Sequence, residues 1–457
     1  MTQPSPDLAA AVHALMPRAH DELAELVAFP SIADPKLGLE QECQAAAQWV
    51  AQALRAEGLT GVQLLDTPDG TQSVYGELTG VPGAPTVLLY SHYDVQPSLD
   101  ETAWTTPPFQ LTERDGRWYG RGAADCKGNI LMHLTALRAL RASGGPQLPV
   151  NLKVIVEGSE EQGTGGMEQY ALAHPELLAA DAIVIGDVGN FAAGLPTATA
   201  SLRGITEVSV EVRTLAGNLH SGAFGGAAPD ALAALLKILA SLYDEQGATA
   251  INGLPADQTW PGVSYPEDRF RADAQVLEGV RLIGGGAVAD RLWARPAVTV
   301  VGIDVPAVIG STSSVQAAAK AKVSLRVPPG MPTETAQDAL VAHLEQAAPW
   351  QVQLTVTRLH SGSAFLAETS GPAYEALGVA MREAYGVDMV VAGEGGSIPL
   401  CNTLRTLYPQ AEIVLIGVEE PTTQIHAVNE SLDPQELERM ALSEALFLLR
   451  YAQVWQG

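Results

Sequence analysis

Cysteine is scarce in this chain. Its 457 residues include three cysteines, Cys43, Cys126 and Cys401, which are far apart and form no C-x-x-C pair. An odd, widely spaced set excludes a disulfide framework, and without a C-x-x-C pair nothing suggests a zinc site built from thiolates. We therefore expect a protein that works in a reducing compartment.

Basic residues are also few. The chain has 26 lysines and arginines against 52 aspartates and glutamates, which gives a formal net charge of −26. Such a charge repels polyanions, so it argues against nucleic acid or an anionic membrane as a partner. It fits a soluble protein that can bind cations.

Long apolar runs are missing as well. No stretch reaches the length of a membrane span, and the N-terminal region lacks the basic segment and apolar core of a secretory signal. We expect a cytoplasmic protein without a membrane partner. Hydrophobic residues still make up 47% of the chain, which is ample for the two domains that a chain of this length usually forms.

Four short apolar runs are present, at 85–90, 152–156, 182–185 and 413–416. A short continuous run of this kind is typical of a strand that is buried on both faces of a sheet, with helices on either side. Helical periodicity in other parts of the chain supplies such helices. The sequence therefore predicts an α/β fold.

A potential metal ligand follows each of these runs. His92 comes after the first run, Glu160 and Glu161 after the second, Asp187 after the third and His426 after the fourth. Each residue alone could have an ordinary structural role, but open α/β sheets build their sites just beyond the carboxyl ends of strands. Nitrogen and oxygen ligands without sulfur suit Zn²⁺, Mn²⁺ or Co²⁺. Together the five residues predict a metal site.

A glycine-rich turn at 120–128 precedes a strongly periodic helix and carries Asp125. Taken alone, an aspartate before a helix is more often an N-cap. With the other potential ligands present, Asp125 becomes a candidate for bridging two ions, because each oxygen of a carboxylate can bind one ion of a dinuclear hydrolytic site.

The region between the third and fourth runs has a different pattern. Residues 207–214 and 322–327 alternate valine or leucine with polar neighbours, as half-buried antiparallel strands do. A helix is expected over 230–243. These elements predict a smaller domain of the α+β class.

This smaller domain is inserted into a larger one. We place the inserted domain at 204–362 and the two parts of the catalytic domain at 1–203 and 363–457. An irregular segment at 249–290, rich in glycine, proline and acidic residues, has no assigned role.

The motifs of this chain also resemble those of a known family. Seven features carry the resemblance: S-H-Y-D-V at 91–95, the turn at 120–128, the E-G-S-E-E-Q-G segment at 157–163, Asp187, N-L-H-S-G at 218–222, G-G-S-I-P at 395–399 and I-H-A-V-N-E at 425–430. They are similar to the motifs of the aminoacylase, carnosinase and glutamate carboxypeptidase family of dinuclear metallopeptidases. The similarity is greatest to the carnosinase and nonspecific dipeptidase branch.

The resemblance implies a fold and an assembly. It implies a zinc-peptidase-like catalytic domain, in which helices flank a mixed sheet, and an inserted α+β domain that serves as a lid and as the contact between the subunits of a homodimer. It also implies two divalent metal ions per subunit, Zn²⁺ foremost, with Mn²⁺ or Co²⁺ as alternatives.

The resemblance also implies roles for the ligand-type residues. His92 and Asp187 would hold one ion, Glu161 and His426 the other, and Asp125 both. Two further acidic residues would act beside them. Glu160 would be the general base that takes a proton from the metal-bridging water, and Asp94 would orient His92 and fix its tautomer.

Substrate contacts are implied in the same way. His220 would come from the lid of the partner subunit and stabilise the tetrahedral oxyanion. Arg326 and Ser397 would bind the substrate's C-terminal carboxylate, with Gly396 and Asn218 at the same site. The chain departs from the family pattern at three places. It has Gly393 where relatives of this branch have a basic residue, Val315 and Gln316 where relatives usually have Ile-Pro, and Cys126 where other members often have Asp or Asn.

These implications leave three hypotheses. The first is a homodimeric dipeptidase that cleaves dipeptides or short peptides with a free C-terminus, through a metal-bridging water activated by Glu160. The second is an N-acyl amino acid amidohydrolase, which would need the same metals and base but a different acyl pocket. The third is a metal-containing binding protein without catalysis, and the presence of Glu160 argues against it.

Overall fold

The computed structural model describes residues 6–144 and 147–455. The helices are α1 Pro6–Val27, α2 Glu40–Ala56, α3 Lys127–Gly144, α4 Gly166–Ala173, α5 Ser221–Phe224, α6 Ala231–Ala240, α7 Glu267–Asp273, α8 Thr333–Gln346, α9 Pro372–Tyr385, α10 Pro399–Leu407 and α11 Pro434–Val454. The strands are β1 Thr60–Asp66, β2 Gln72–Leu78, β3 Thr86–His92, β4 Thr112–Arg114, β5 Arg117–Tyr119, β6 Asn151–Glu157, β7 Ala182–Gly186, β8 Thr197–Leu202, β9 Gly204–Arg213, β10 Leu219–His220, β11 Ala297–Asp304, β12 Ser314–Val315, β13 Ala318–Val327, β14 Gln353–Gly362, β15 Phe365–Leu366, β16 Val390–Glu394, β17 Glu412–Ile416 and β18 Ser431–Leu432.

The chain divides into two compact units. The first consists of Met1–Ala200, Ala367–Ala392 and Ile398–Gly457, and the second of Ser201–Leu366 with Gly393–Ser397. The domain limits expected from the sequence, 204 and 362, left the segment at 393–397 in the catalytic domain. The structure groups this segment with the second unit, where the carbonyl of Glu394 accepts a hydrogen bond of 3.2 Å from the backbone N–H of Arg203.

The first unit is built on a mixed sheet that helices flank. Its strands follow the order β1-β2-β6-β3-β7-β17-β8. The four central strands β6, β3, β7 and β17 are parallel to one another, while β1 and β2 at one side and β8 at the other pair antiparallel. The predicted α/β class is therefore confirmed, and all four apolar runs of the sequence are strands at its centre.

Burial explains why these runs become central strands. From Val87 to His92 every residue of β3 is buried, and β7 is buried along its whole length. A strand covered on both faces needs apolar side chains on both, which is why these runs do not alternate. Helix α3, which packs against β3, is likewise buried through most of its length.

The second unit contains a four-stranded antiparallel sheet in the order β11-β13-β9-β14. Helices α6 and α8 share one apolar core with alternate residues of β9 and β13, including Val208, Val210, Val323 and Leu325. This is the α+β arrangement that the alternating pattern predicted. Helix α6 ends at Ala240, three positions before the expected end, because residues 241 and 242 form a turn and Tyr243 pairs with Thr249 in an isolated antiparallel bridge.

No helix in the described ranges is both long and apolar enough to cross a membrane.

Candidate metal centre

The candidate ligands lie at one edge of the first unit's sheet. Strands β6, β3, β7 and β17 are adjacent and parallel, so their carboxyl ends meet at the same edge. Strand β3 ends at His92 itself, and β7 ends one residue before Asp187. The segments after β6 and β17 carry Glu160, Glu161 and His426.

His92, Asp125 and Asp187 form the first of two groups. Nε2 of His92 lies 3.1 Å from Oδ1 of Asp125 and 3.0 Å from Oδ1 of Asp187. The imidazole is fully buried, and its Nε2 makes no hydrogen bond. The other ring nitrogen, Nδ1, lies 3.0 Å from the backbone carbonyl of Asp94, to which it can only donate. That contact leaves Nε2 with a free lone pair, as a metal ligand requires.

His426, Asp125 and Glu161 form the second group. Nε2 of His426 lies 2.9 Å from Oδ2 of Asp125 and 3.2 Å from Oε2 of Glu161. His426 has a backbone φ of 59°, in the left-handed region that costs a branched or bulky residue free energy. The loop beyond β17 holds the imidazole in place despite this cost.

Asp125 belongs to both groups, with Oδ1 toward His92 and Oδ2 toward His426. Three carboxylates, those of Asp125, Asp187 and Glu161, converge on two imidazoles in a site that is largely buried. Oε1 of Glu161 is buried and has no hydrogen-bond partner. Buried carboxylates at this density repel one another unless cations lie between them. The donor set therefore fits two divalent ions.

The pKa values reflect this crowding. Burial raises the pKa of Asp125, but the hydrogen bond from His426 and the charge of His92 outweigh burial and hold that pKa below its usual value. The hydrogen bond of His426 to Asp125, followed by its hydrogen bond to Glu161, raises the pKa of His426 to about 11. Burial, followed by the charge of Asp187, raises the pKa of Glu160 well above its usual value. A carboxylate with a raised pKa is a stronger proton acceptor when ionised.

Asp94 positions the segment that carries both glutamates. Its Oδ1 accepts a hydrogen bond of 3.1 Å from the backbone N–H of Glu160, and its Oδ2 accepts one of 3.1 Å from that of Glu161. Oδ1 of Asp94 also lies 3.3 Å from Nδ1 of His92. The fully buried Asp94 thus contacts residues of both groups.

Glu430 was missed as a site residue in the sequence. Its buried carboxylate accepts hydrogen bonds from the backbone N–H groups of Gly122, Ala124 and Asp125, at 3.0, 3.1 and 3.1 Å. It also forms a buried ion pair with Arg121 at 2.7 Å. These contacts hold the turn that carries Asp125. In the sequence, the one feature that could have indicated a role for Glu430 at the site was its position four residues after His426.

Cys126 also lies closer to the centre than expected. Its Sγ is within 4.8 Å of the ligand atoms of His92 and Asp187. The thiol donates a hydrogen bond of 2.9 Å to the backbone carbonyl of Gly186, and burial raises its pKa. The Cys126 side chain is therefore a protonated thiol that acts as a hydrogen-bond donor.

The remaining candidate residues all belong to the second unit. His220 is exposed and ends β10. Asn218 accepts a hydrogen bond of 2.9 Å from the backbone N–H of Ala317, so its side chain holds the strand beside it. Arg326 is partly buried, which lowers its pKa, while the charges of Glu207 and Glu394 oppose that shift. Glu394 begins the loop that carries the last two candidates, Gly396 and Ser397.

Comparison with known proteins agrees with the resemblance noted in the sequence. Residues 88–450 match the model of peptidase family M20/M25/M40. The chain is 43% identical over 446 residues to the cysteinylglycine-S-conjugate dipeptidase of Corynebacterium striatum, covering 95% of this chain and 96% of that protein. It is 27% identical to the Beta-Ala-His dipeptidase of Rattus norvegicus, covering 97% and 90%.

A solved structure gives the same result. The crystal structure of human carnosine dipeptidase 1 superimposes with a TM-score of 0.85 at 25% identity, covering 99% of this chain and 100% of that one. The family match spans more than half of the chain. The chain therefore belongs to peptidase family M20/M25/M40 and is a metallopeptidase.

Proposed function

We propose that this protein is a metal-dependent dipeptidase with two divalent ions per subunit. The observation that carries the proposal is the placement of Asp125, whose two oxygens face two separate groups of ligands, each with one histidine. The names of the relatives support dipeptides as the substrate class.

The five ligands have distinct places in this proposal. His92 and Asp187 would hold one ion, Glu161 and His426 would hold the other, and Asp125 would contribute to both. When bound, the ions polarise the scissile carbonyl and lower the pKa of a water molecule. The ligand set contains nitrogen and oxygen, so Zn²⁺ is the proposed native metal, with Mn²⁺ or Co²⁺ as alternatives.

Glu160 performs the proton transfers. It accepts a proton from the attacking water and delivers it to the leaving amine, which its raised pKa favours. It can do so because its backbone is fixed by Asp94 while its side chain remains free of both ligand groups. Asp94 also keeps His92 in the tautomer that leaves Nε2 free.

The second unit supplies the substrate contacts in this proposal. Arg326, with Ser397, Gly396 and Asn218, binds the free C-terminal carboxylate, a task that suits the planar guanidinium. His220 stabilises the oxyanion in the active site of the partner subunit. The exposed position of His220 supports such a role.

A homodimer formed through the second unit has its own support. Both edge strands of the sheet, β11 and β14, are mostly exposed, and unpaired edges are sites of strand pairing. Val308 and Ile309, in the loop after β11, are 92% and 94% exposed. Apolar residues this exposed commonly mark a contact between proteins. We place the dimer in the cytoplasm, where the free thiols of Cys43, Cys126 and Cys401 would stay reduced.

A turnover screen tests the proposal. Purified protein is loaded with Zn²⁺, Mn²⁺ or Co²⁺ and assayed with unmodified dipeptides, the same dipeptides amidated at the C-terminus, and N-acetyl amino acids. We expect hydrolysis of free dipeptides, with kcat/KM well above that of the amides. Faster cleavage of N-acetyl amino acids would establish the deacylase instead, and equal rates on acid and amide would remove Arg326 from carboxylate binding.

A further inference from the structure

An arginine of the second unit has two buried nitrogens without a hydrogen-bond partner. Arg203 lies between β8 and β9 and is largely buried. Its Nε and Nη1 are buried and make no hydrogen bond. A guanidinium removed from water without a compensating anion is strongly unfavourable. Arg203 is therefore a candidate for binding an anion.

The charges around Arg203 strengthen this conclusion. Burial, followed by the like charge of Arg326, lowers the pKa of Arg203 to about 10, while the charge of Glu394 opposes the shift. Arg326 lies opposite Ile205 in the β9–β13 pairing, two positions along the chain from Arg203. Nη2 of Arg203 would lie 3.1 Å from a Cβ placed at Gly395. Of the two carboxylates near these guanidiniums, Glu207 is paired with Lys322 at 2.8 Å, which leaves Glu394 facing two positive charges.

Two other arginines nearby are already satisfied. Arg291 donates to the backbone carbonyl of Ile283 at 2.6 Å. Arg295 donates to the carbonyls of Gln258 and Gly285, both at 2.8 Å. Arg291 and Arg295 hold the segment after 249 in its fold. Among these three described arginines, Arg203 is therefore the one with buried nitrogens that lack a hydrogen-bond partner.

A cavity of about 290 Å³ adjoins Arg203. Its walls are mainly apolar and come from Phe270, Leu282, Ile283, Val288, Leu292 and Val298. Of the described residues that line it, none is an aspartate or glutamate. Its charged lining residues are Arg203, Arg291 and Arg295. A mainly apolar chamber with a few polar groups is the usual form of a small-molecule site.

We propose that this cavity binds a carboxylate that carries an apolar group, with the carboxylate on Arg203 and the apolar group in the chamber. The nearby carboxylate of Glu394 disfavours a dianion such as phosphate. Two sources share this chemistry: the C-terminal residue of a peptide substrate, and a free apolar carboxylate.

Calorimetric binding to the metal-free protein tests the site. The probes are isocaproate, its neutral amide and inorganic phosphate. We expect isocaproate to bind at least about tenfold more tightly than the amide, because it makes charge-assisted hydrogen bonds that the amide cannot. In Arg203→Gln this preference should disappear, and in the control Arg213→Gln, on the exposed end of β9, it should persist. Ala256→Trp, which narrows the chamber, should weaken binding of acid and amide alike.

Thermal unfolding without ligand separates binding from a structural role. If Arg203 has no partner, Arg203→Gln should melt at or above the wild-type temperature, since an uncompensated buried charge is removed. A lower melting temperature, or a variant that does not fold, would show that Arg203 stabilises the fold and would overturn the proposal. So would tighter binding of phosphate than of isocaproate, or undiminished isocaproate binding by Arg203→Gln.

Inhibition kinetics then identify the source of the ligand. Isocaproate that competes with a dipeptide would assign the cavity to the substrate's C-terminal residue, and noncompetitive inhibition would assign it to a free carboxylate. This measurement alone rests on the proposed function. The calorimetry does not, so failure of dipeptide hydrolysis and failure of the carboxylate site are distinguishable.

Discussion

The carboxylate of Asp94 accepts a hydrogen bond of 3.1 Å from the backbone N–H of Glu160. Glu160 is the proposed base and follows β6. Asp94 follows β3, the strand next to β6 in the sheet. The side chain of Asp94, which follows β3, thus fixes the backbone of the segment that follows β6. The position of the base therefore depends on a residue that need not contact the substrate.

Glu160→Gln separates chemistry from metal binding. The amide keeps the shape of the side chain but cannot accept the proton of water, so kcat should fall by roughly 10²- to 10⁴-fold. Metal content, measured by elemental analysis, should barely change. The matched variant is Glu161→Gln, which should lose metal. If Glu160→Gln lost metal and Glu161→Gln retained it, the two roles would be reversed.

Asp94→Asn tests the positioning of Glu160. The amide has one oxygen where the carboxylate has two acceptors, so one of the two backbone N–H groups, of Glu160 or Glu161, loses its bond. We expect kcat to fall by about tenfold or more, since such a bond to a charged group contributes roughly 1.5–3 kcal/mol. KM should change little. Unchanged kcat would show that neighbouring contacts suffice to hold Glu160.

Asp125→Ala tests the shared ligand. Both ions would lose an anionic ligand, so bound metal should decrease and hydrolysis should be abolished. Elemental analysis of dialysed protein measures the first effect and a dipeptide assay the second. Asp100→Ala is a suitable control, because Asp100 is an exposed helix cap. Full activity in a chelated preparation verified to be free of metal would contradict the metal-dependent mechanism.

The proposed action of His220 across a dimer gives a complementation experiment. His220→Ala and Glu160→Ala should each be nearly inactive as pure homodimers. A heterodimer of the two contains one site with both residues intact and one site with neither, so random mixing should restore about a quarter of wild-type activity. Co-expression with two affinity tags isolates the heterodimer. If it is no more active than either parent, His220 acts within its own subunit or has no catalytic role.

A buried ion pair gives a prediction on pH and stability. Nδ1 of His133 lies 2.7 Å from Oε2 of Glu444, and both side chains are buried. Burial lowers the pKa of His133, but the charge of Glu444 and its hydrogen bond outweigh burial and raise that pKa above its usual value. Stability from a raised pKa is fully present below the unfolded value, about 6.5, and is lost as pH rises through the folded value.

Comparison with His133→Gln measures this contribution. In metal-free protein, the urea midpoint of the wild type should exceed that of the variant by more at pH values near 6 than at pH values near 9. The difference should correspond to roughly 1–3 kcal/mol at the lower pH, the usual contribution of a hydrogen bond to a charged group. An equal difference at both pH values would show that folding does not raise the pKa of His133.

Local sequence patterns predicted the central strands and the residues that follow them. Uninterrupted apolar runs identified β3 and β7, and a strand's direction determines where the next side chains lie, so His92 and Asp187 could be placed together. Asp125 was predicted from its position in a glycine-rich turn. These inferences need only neighbours in sequence and the geometry of parallel strands.

Contacts between distant segments could not be predicted in this way. Nothing near Glu430 in the sequence indicates that it binds backbone N–H groups at 122–125. The reason for Gly393 was equally hidden, because a Cβ there would lie 2.7 Å from Cγ of Trp293, a residue about a hundred positions away in the sequence. Local patterns do not encode such packing, and the structure is needed to find it.

The contact between Glu430 and the Asp125 turn also orders events during synthesis. The ribosome makes His92, Asp125, Glu161 and Asp187 first, then the whole second unit, and only afterwards His426 and Glu430. Until residue 430 has left the exit tunnel, three backbone N–H groups at 122–125 lack their acceptor and the second ligand group lacks its imidazole. The nascent chain thus carries an unfinished cluster of carboxylates while the inserted unit, whose segments lie mostly between residues 201 and 366, can already fold. Metal capture by the full ligand set consequently follows the emergence of His426 from the exit tunnel.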